Sequence, residues 1–310
     1  MNAIEIRNLS KYFGKTAAVS NLNLSIPTGA LFGLIGPNGA GKTTTMRMLA
    51  GLLEPSGGEI ILNGETTNLD RQSLSRQIGY MPDFFGVYED MLVWEYLDFF
   101  GRCYGLPESH RNRVVGELLD LVDLSGKRDT YVETLSRGMR QRLCLAHTLV
   151  HDPQILLLDE PASGLDPRAR IEMRELLKEL GAMGKTIILS SHILHELAEL
   201  CDYVGIIEKG SLVVSGNLGE IKQAALQQRT VRVSLLSELD SAAKLLSNYP
   251  GVGELIINNH AIEFPFLGTD EEKATLLTAL ISQGLMVTGF TESTSDLEQV
   301  FLRLTKGEVA

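Results

Sequence analysis

The chain has 310 residues, a length typical of two domains or of one large domain with an appendage. Hydrophobic residues make up 44% and charged residues 22%, which is ordinary for a globular chain that buries a sizeable core. The formal net charge of -11 gives no reason to expect nucleic acid or anionic lipid as a direct partner. Any association with a membrane is therefore expected to depend on another protein.

The sequence carries no obvious membrane or export signal. No apolar run approaches the roughly 20 residues that span a bilayer, and the first residues lack a basic region followed by an apolar stretch. Cys103, Cys144 and Cys201 form no CxxC pair and suit a reducing compartment as small core residues. These features predict a soluble, cytoplasmic chain.

Short strands are predicted in the first part of the chain. Apolar and polar residues alternate over Ile4–Leu9 and Leu22–Ile26, as in half-buried strands. The continuous apolar run Leu31–Ile35 predicts a central strand covered on both faces. A helix is predicted over Thr43–Leu53, ended by the proline and glycines of 54–58.

The middle of the chain changes from helical to alternating patterns. Helical periodicity over Met91–Tyr104 and Glu108–Val122 predicts a mostly helical insertion at about 85–150. Strands and helices then alternate over 153–216, which predicts a parallel sheet covered by helices. The elements predicted there are Ile155–Asp159, Arg168–Leu180, Lys185–Ser190, His192–Leu200 and Val204–Glu208.

The last part of the chain predicts a separate small domain. Its patterns follow the order strand-helix-strand-strand-helix-strand, which suggests a ferredoxin-like α+β module, with one more helix at the end. Domains are therefore predicted at 1–228 and 229–310. The predicted elements are Thr230–Leu235, Ser241–Asn248, Gly253–Ile257, Ala261–Phe264, Glu271–Gln283, Met286–Phe290 and Ser295–Thr305.

A phosphate-binding loop is predicted directly after the strand Leu31–Ile35. Gly36 to Thr43 matches the pattern GxxxxGK[ST], in which glycines let backbone amides face a polyphosphate at a helix N-terminus. Lys42 is expected to reach the β- and γ-phosphates and Thr43 to hold Mg²⁺. The alternative is a glycine turn with an incidental lysine. The predicted nucleotide contacts are Gly36, Pro37, Asn38, Gly39, Ala40, Gly41, Lys42, Thr43 and Thr44.

Two carboxylates follow another apolar run. Ile155–Leu158 leads into Asp159 and Glu160, and the carboxyl end of such a strand is where metal–nucleotide sites form. Asp159 is expected to bind Mg²⁺ through water, and Glu160 to polarise an attacking water as general base. The alternative is a buried strand with an ordinary polar end.

Further motifs complete a pattern that resembles the ATP-binding subunit of an ABC (ATP-binding cassette) transporter over about residues 3–220. The resemblance implies an α/β P-loop NTPase core with an antiparallel β subdomain and a helical subdomain. It implies that the chain binds ATP with Mg²⁺ and hydrolyses it. The supporting motifs are Leu135–Gln141 (signature, usually LSGGQ), Pro161–Asp166 (D-loop), Ser190–His192 (switch histidine), Asp83 (Q-loop) and Phe13 (the aromatic that stacks on adenine).

The resemblance also implies a second ATP-binding subunit. Ser136 and Gly138 open a predicted helix, Met139–Val150, whose N-terminus suits an anion, and in this family it faces the γ-phosphate held by the other subunit. Ser136 could equally be a simple N-cap. Asp166 is carried over as a nucleotide contact, and His192 joins Glu160 and Lys42 as a catalytic residue. A metal shared by His192 and His195 would need a further ligand.

Some positions depart from the family pattern. Asp83 replaces the usual glutamine and is shorter and charged, so it could touch Mg²⁺ or its water only from further back. Arg137 and Met139 replace a glycine and the glutamine of the signature, while Ser136 and Gly138 remain. An active site is therefore expected. Tyr12 is an alternative to Phe13 as the stacking residue.

Residues 229–310 resemble an extension found on single-cassette subunits of drug, antibiotic or polysaccharide exporters. Those subunits work with separate ABC-2-type membrane permeases, so such a permease is the implied partner and holds the chain on the cytoplasmic face of the membrane. The partner cassette is expected to be a second copy, with a different cassette as the alternative. Leu297, Val300, Phe301 and Leu304 form one helical face, for which packing on the cassette is favoured over ligand binding.

Rival functions are a non-transport ABC ATPase acting on ribosomes or DNA, a regulatory module that senses ATP, and an unrelated P-loop kinase. The first usually carries two cassettes or long coiled coils, and no sustained heptads lie between Lys42 and Ser136. An intact Asp159, Glu160 and His192 argue against the second, and Leu135–Gln141 against the third. The transported substrate is not encoded here, because specificity should reside in the permease.

Overall fold

A computed structural model of the chain describes residues 1–66, 71–84, 86–88, 90–221, 229–258 and 260–293. The chain divides into two compact units, Met1–Asn217 and Leu218–Ala310. The predicted boundary between 228 and 229 lies beside a range outside the described residues, and it stays a prediction. No helix among the described residues is both long enough and apolar enough to cross a membrane.

The first unit contains strands and helices in an order close to the predicted one. Two short 3-10 turns, Ser125–Lys127 and Val132–Thr134, lie before the helix that the predicted signature opens. In chain order the elements are β1 (Asn2–Phe13), β2 (Thr16–Pro27), β3 (Leu31–Ile35), α1 (Lys42–Leu49), β4 (Gly57–Leu62), β5 (Glu65–Thr66), α2 (Arg71–Gln77), β6 (Ile78–Met81), α3 (Val93–Cys103), α4 (Glu108–Leu121), α5 (Arg137–Leu149), β7 (Ile155–Leu158), α6 (Pro167–Ala182), β8 (Thr186–Ser191), α7 (Leu194–Ala198), β9 (Tyr203–Glu208) and β10 (Ser211–Asn217).

The larger sheet of this unit has the strand order β10-β9-β3-β8-β7-β6 among the described residues. Its strands pair in parallel, except that β10 runs antiparallel to β9. Every residue of β3, β7 and β8 is buried, which confirms the predicted covered strands. Ile35 pairs with Ser191 and Leu158 with Leu189, so the carboxyl ends of these three strands meet at one edge.

The smaller sheet is antiparallel, with the order β2-β1-β4-β5. It confirms the half-buried strands predicted at 4–9 and 22–26 and extends both. Strands β4 and β5, together with α2, β6 and β10, were not predicted. The apolar part of β4 is only Ile60–Leu62, which is too short for a period to be recognised.

The range predicted as a helical insertion, about 85–150, contains α3, α4 and α5, which pack on one another, and its status as a subdomain stays a prediction. The buried carboxylate of Asp98 in α3 accepts hydrogen bonds from Arg102 at 2.7 Å and from Arg111 of α4 at 2.6 Å. These bonds hold the start of α4 against α3. The packing of these helices places α5 near the edge where β3, β7 and β8 end. The contacts that α5 makes there are described below.

Two predicted helices have different bounds in the structure. The helix predicted to run to Leu53 ends at Leu49, because Gly51 has a positive φ of 69° and cannot continue it. The helix predicted from His192 begins at Leu194, because β8 continues through Ser191. The backbone N–H of Ile193 then donates to Ser191 Oγ at 3.0 Å, which turns the chain between strand and helix.

The second unit follows the predicted order of strands and helices. Its four described strands form an antiparallel sheet with the order β12-β13-β11-β14. The predicted last helix, Ser295–Thr305, lies outside the described residues and stays a prediction. The elements are β11 (Arg229–Leu235), α8 (Leu239–Ser247), β12 (Ile256–Asn258), β13 (Ala261–Phe266), α9 (Asp270–Ser282) and β14 (Val287–Ser293).

Candidate functional site

The predicted phosphate loop connects β3 to α1 and requires glycine at both ends. A Cβ on Gly36 would lie 2.3 Å from the carbonyl oxygen of Ile207 in β9. A Cβ on Gly41 would lie 2.6 Å from the carbonyl oxygen of Ala18, and Gly41 has a φ of 107°. The glycine spacing therefore follows from two close backbone approaches, which leave the loop amides and the start of α1 facing the same side.

Lys42 is the first residue of α1, and its ammonium lies across the loop. The side chain is 6% exposed, and Nζ donates to the carbonyl oxygen of Gly36 at 2.7 Å and to that of Pro37 at 3.3 Å. Glu160 Oε1 lies 3.5 Å from the same nitrogen. A buried cation held beside backbone amides is suited to a polyphosphate anion.

Asp159 directly follows β7 and is fully buried. Its Oδ1 accepts a hydrogen bond from Ser190 Oγ at 2.6 Å, whereas its Oδ2 has no hydrogen-bond partner among the residues that the structure describes. Burying an unpaired carboxylate oxygen is costly. Oδ2 is therefore a ready acceptor for a cation or for the water that a cation carries.

Ser190 is the site residue whose role the sequence did not predict. Its Oγ donates to Asp159 and also accepts the backbone N–H of Glu160 at 3.0 Å, so it holds both acidic residues from the neighbouring strand β8. The available signal was a polar residue at the end of the apolar run 187–189. Pairing between β7 and β8 makes that position important.

Glu160 stands between two basic side chains. Its Oε2 lies 3.0 Å from His192 Nδ1, and its Oε1 faces Lys42. The backbone of Glu160 is in the left-handed region, with a φ of 51°, which turns the chain as it leaves the strand. A carboxylate held this way has the geometry of a general base that acts on a bound water.

One open cleft contains most of the predicted site. The loop residues from Pro37 to Thr44 line it together with Asp83, Glu160 and His192. Ala18 and Ser163 line it as well, although neither was predicted as a site residue. Ala18 carries no recognisable signal, since it is an ordinary apolar residue of β2, while Ser163 lies inside the predicted D-loop.

The chemistry of the cleft fits a magnesium-bound nucleotide. The Thr43 hydroxyl and the Asp159 carboxylate are hard oxygen donors of the kind that Mg²⁺ prefers, and Asp159 has one oxygen to spare. The loop beside them offers backbone amides and an ammonium group to phosphates. The predicted cofactors and the residues present are therefore chemically consistent.

The other predicted nucleotide contacts do not line this cleft. Ser136 and Asp166 begin α5 and α6, where Ser136 Oγ accepts from Met139 N at 3.3 Å and Asp166 Oδ1 from Ala169 N at 2.9 Å. Gly138 packs beside Ala169, where an added Cβ would approach to 3.0 Å. The structure thus shows the capping contact of Ser136, and α5 begins at Arg137 rather than at the predicted Met139.

Neither candidate for adenine stacking lines the cleft. Phe13 is 53% exposed and Tyr12 49% exposed at the end of β1. The Lys11 ammonium lies 5.4 Å from the centroid of the Phe13 ring. Both aromatic side chains are exposed to solvent, and the assignment of adenine stacking to Phe13 stays a prediction.

The structure gives no support to a metal held by His192 and His195. His195 Nε2 faces Glu199 at 3.9 Å, whereas His192 faces Glu160. No group of three or more His, Cys, Asp or Glu residues in the described part of the chain is arranged to hold a metal ion.

Comparison with known proteins extends over nearly the whole chain. Residues 19–163 match the family model described as ABC transporter. The uncharacterized ABC transporter ATP-binding protein YxlF of Bacillus subtilis (strain 168) is 38% identical over 97% of this chain and 99% of that protein. Nod factor export ATP-binding protein I of Cupriavidus pinatubonensis (strain JMP 134 / LMG 1197) is 37% identical over 99% of this chain and 91% of that protein.

Solved structures give the same result for the fold. One described as the structure of the ATP binding subunit of an ABC transporter is 31% identical, with a TM-score of 0.64. The match covers 72% of this chain and 92% of that chain. The predicted cassette fold, mixed α/β with an antiparallel subdomain, is confirmed. The chain belongs to the ABC transporter ATP-binding proteins, and it is the subunit that binds and hydrolyses ATP.

Proposed function

We propose that this subunit binds Mg-ATP in the cleft, hydrolyses it with Glu160 as general base, and drives a separate ABC-2-type permease that exports its substrate. The observation that carries the proposal is the position of the Glu160 carboxylate. It lies 3.5 Å from Lys42 Nζ and 3.0 Å from His192 Nδ1 at the edge of the phosphate loop. That position puts a base, a phosphate-binding cation and a histidine in one cleft.

The nucleotide phosphates are held by the loop from Gly36 to Thr44. Backbone amides and the start of the α1 dipole contribute fixed positive charge, and Lys42 adds a full one. Thr43 and Asp159 would hold Mg²⁺, and Asp83, which lines the cleft, would contact the ion or its water. When bound, Mg²⁺ neutralises charge on the phosphate oxygens.

Hydrolysis depends on residues that are already in position. Glu160 accepts a hydrogen bond from the attacking water and orients it toward the γ-phosphate. Ser190 fixes the backbone of Glu160, and His192 fixes the carboxylate and contacts the γ-phosphate. Lys42 stabilises the charge that develops during transfer, as a preorganised cation does in a site with little water.

The complete site requires a second subunit. Ser136 is exposed at the start of α5, and Ser136, Gly138 and Asp166 are not among the residues that line this chain's own cleft. Two copies facing each other would place each signature on the nucleotide held by the other loop. We infer a homodimer, with a dimer of two different cassettes as the alternative, and we assign adenine stacking to Phe13.

The direction of transport and the permease class follow from the relatives and from the second unit. One relative of similar length is named as an export ATP-binding protein. The helical insertion at 85–150 is proposed to contact the permease on the cytoplasmic face of the membrane. Residues 229–310 are proposed to form a ferredoxin-like accessory domain, which the order of its elements and strands supports.

The test is the substitution Glu160→Gln, which keeps the size of the side chain and removes its basicity. Hydrolysis should fall by at least about 10²-fold, while ATP binding remains and an ATP-bound dimer accumulates in size-exclusion chromatography. Glu117→Gln, at an exposed position of α4, is the matched control and should behave as wild type. Turnover close to wild type in Glu160→Gln would refute Glu160 as the base.

A further inference from the structure

The segment that follows Glu160 is held by two side chains of α5. We call residues 161–165 the post-base loop. Gln141 Nε2 donates to the carbonyl oxygen of Pro161 at 2.7 Å, and Arg137 Nη2 donates to that of Ser163 at 3.1 Å. Gln141 is buried, whereas Arg137 is exposed. The loop is therefore tied to α5 at one protected point and at one that water can reach.

The Arg137 guanidinium also packs directly against the backbone of the post-base loop. A Cβ on Gly164 would lie 2.3 Å from Arg137 Nη2 and 2.4 Å from its Cζ. Gly164 has a φ of 66°, a conformation that costs other residues more than it costs glycine. The guanidinium thus occupies the space that any side chain at 164 would need, and the hydrogen bond and the packing support each other.

This contact is connected to the catalytic cleft in one step. Ser163 lines the cleft, and its backbone N–H donates to the carbonyl oxygen of Glu160 at 3.0 Å. Fixing the carbonyl of Ser163 therefore restricts the backbone on which Glu160 stands. Glu160 is itself in a left-handed conformation, which holds only while the chain on both sides is fixed.

We propose that Arg137 is a positioning residue for hydrolysis, which ties the start of α5 to the post-base loop and thereby holds Ser163 and Glu160 in the geometry for turnover. The proposal rests on the role of Glu160 proposed above. Arginine suits this task, because its planar guanidinium can lie flat against Gly164 while donating to Ser163. The contact lies within one chain, so it applies to each cleft separately.

The first test compares Arg137→Ala with Arg7→Ala, another exposed arginine, in β1 and outside both the cleft and the helical insertion. In Arg137→Ala the kcat for ATP should fall about tenfold, which corresponds to about 1.4 kcal/mol. The KM should stay within about twofold, because the phosphate loop is untouched. Arg7→Ala should match wild type in both constants. A kcat within twofold of wild type in Arg137→Ala would overturn the proposal, and so would a loss confined to KM.

The second test separates positioning from general destabilisation. Arg137→Lys retains a cation that can reach Ser163 but lacks the flat group that packs on Gly164, so its kcat should lie between those of wild type and Arg137→Ala. The melting temperatures of the variants should stay close to that of wild type, since Arg137 is exposed. A fall in kcat that follows a fall in melting temperature would refute a positioning role.

A double-mutant cycle tests the contact itself. Gly164→Ala should lower kcat, partly by displacing the guanidinium and partly through backbone strain. In the Arg137→Ala background only the strain remains, so Gly164→Ala should then cost at least threefold less in kcat than it does in wild type. Effects that simply multiply would show that the two residues do not interact, and would overturn the proposed packing.

Glu160→Gln, measured in the same assay, keeps the two proposals distinguishable. If Glu160→Gln is inactive and Arg137→Ala is normal, only the role of Arg137 is refuted. If Glu160→Gln retains turnover, the proposed function and the inference built on it are both refuted. A strong loss in Glu160→Gln together with the smaller kcat loss in Arg137→Ala supports both.

Discussion

The helices α1 and α5 both begin at residues assigned to phosphate, yet the two starts are built differently. The N-cap of helix α1 is Gly41, which has no side chain with which to cap it, and the first helical residue is the buried Lys42. The N-cap of helix α5 is Ser136, whose hydroxyl accepts the N–H of Met139, and the first helical residue is the exposed Arg137. Only the start of α1 combines uncapped amides with a buried positive charge on the same chain.

The difference between the two helix starts indicates that the half of the site at α1 is preorganised. At α1 the chain itself fixes the groups that face the phosphates. Gly36 and Gly41 are held by close backbone approaches, and Lys42 Nζ contacts the Gly36 carbonyl oxygen and the Glu160 carboxylate. At α5 the hydrogen bond from the Met139 N–H to Ser136 Oγ is 3.3 Å long and exposed to solvent. The Ser136 hydroxyl can therefore give up this bond and contact a phosphate at a small cost in free energy. The start of α1 is suited to binding a nucleotide without help from another subunit. The start of α5 is suited to contacting a nucleotide that a phosphate loop already holds.

Lys42→Ala should have the largest effect on ATP hydrolysis, because it removes the positive charge that distinguishes the start of α1 from that of α5. Hydrolysis should fall by at least about 10²-fold, since a preorganised cation at the transferring group is lost. ATP affinity should fall as well, which calorimetry or a fluorescent nucleotide can measure. Lys178→Ala, at a half-exposed lysine of α6, is the control and should change neither. Unchanged binding and hydrolysis in Lys42→Ala would contradict the assigned role.

Gly36→Ala should distort the start of α1 without changing its charge. The added Cβ would overlap the backbone oxygen of Ile207, so the loop or β9 must move, at about 2 kcal/mol of stability and with a loss of nucleotide affinity. Gly116→Ala in α4 has open space around it and should stabilise the fold by up to about 1 kcal/mol. Thermal melts with and without ATP measure both. Equal melting temperatures for the two variants would contradict the close approach.

The last turn of α5 is buried, whereas its first turn is exposed. We expect the buried turn to make the stability of the protein depend on pH. Burial lowers the pKa of His147 from 6.5 to about 4, although the hydrogen bond that the imidazole donates to the backbone of Cys144 raises it. The unfolded chain therefore takes up a proton between about pH 6.5 and pH 4 that the folded chain does not. Stability should be full above pH 6.5 and fall toward pH 4, by up to about 3 kcal/mol for this group.

His147→Phe isolates that group, because Phe100 packs on the His147 ring with 4.0 Å between centroids and can accept another aromatic ring. Denaturant unfolding at pH 7 and pH 5 should show a smaller difference in this variant than in wild type. Some difference remains, since burial lowers the pKa of His151 as well. The same pH dependence in both proteins would show that His147 titrates normally.

The smallest effect is expected from Ser136→Ala, and Thr269→Ala is the matching N-cap substitution in the second unit. Both residues are exposed N-caps, and both accept a backbone N–H at 3.3 Å, but Thr269 begins α9 in the second unit. Each substitution should cost about 1 kcal/mol in the stability of its own unit. Only Ser136→Ala should also lower ATP hydrolysis, by about tenfold, because only its cap is assigned to a phosphate. A similar loss of activity in both would show that capping alone explains Ser136.

The phosphate loop and the acidic pair could be predicted because their chemistry is local. Gly36, Gly41 and Lys42 lie within one short segment, so their pattern can be recognised from consecutive residues alone. Asp159 and Glu160 stand directly after an apolar run, and parallel strands end at a common edge. The second unit was predictable as an order of elements, since β11, α8 and α9 have apolar residues at strand or helix spacing and the residues 258–260 indicate a hairpin.

Other features could not be predicted from neighbouring residues. The short strand β4 has too few apolar positions to show a period, and Gly51 ends α1 although the apolar pattern continues to Leu53. Ser190 became a site residue only because β8 pairs with β7, and Ala18 only because β2 passes the loop. These contacts depend on strand order, which the local pattern does not contain.

The sequence by itself determined the family and the phosphate-loop motif and predicted the base and the switch histidine, because those motifs encode chemistry within a few consecutive residues. The tertiary structure alone decided that Ser190 contacts both acidic residues, that Asp159 Oδ2 has no hydrogen-bond partner within the described part of the chain, and that Arg137 reaches Ser163 and Gly164. The reason is that each of these contacts joins residues far apart in the chain. Packing of α5 and the order of the parallel strands bring them within hydrogen-bond distance.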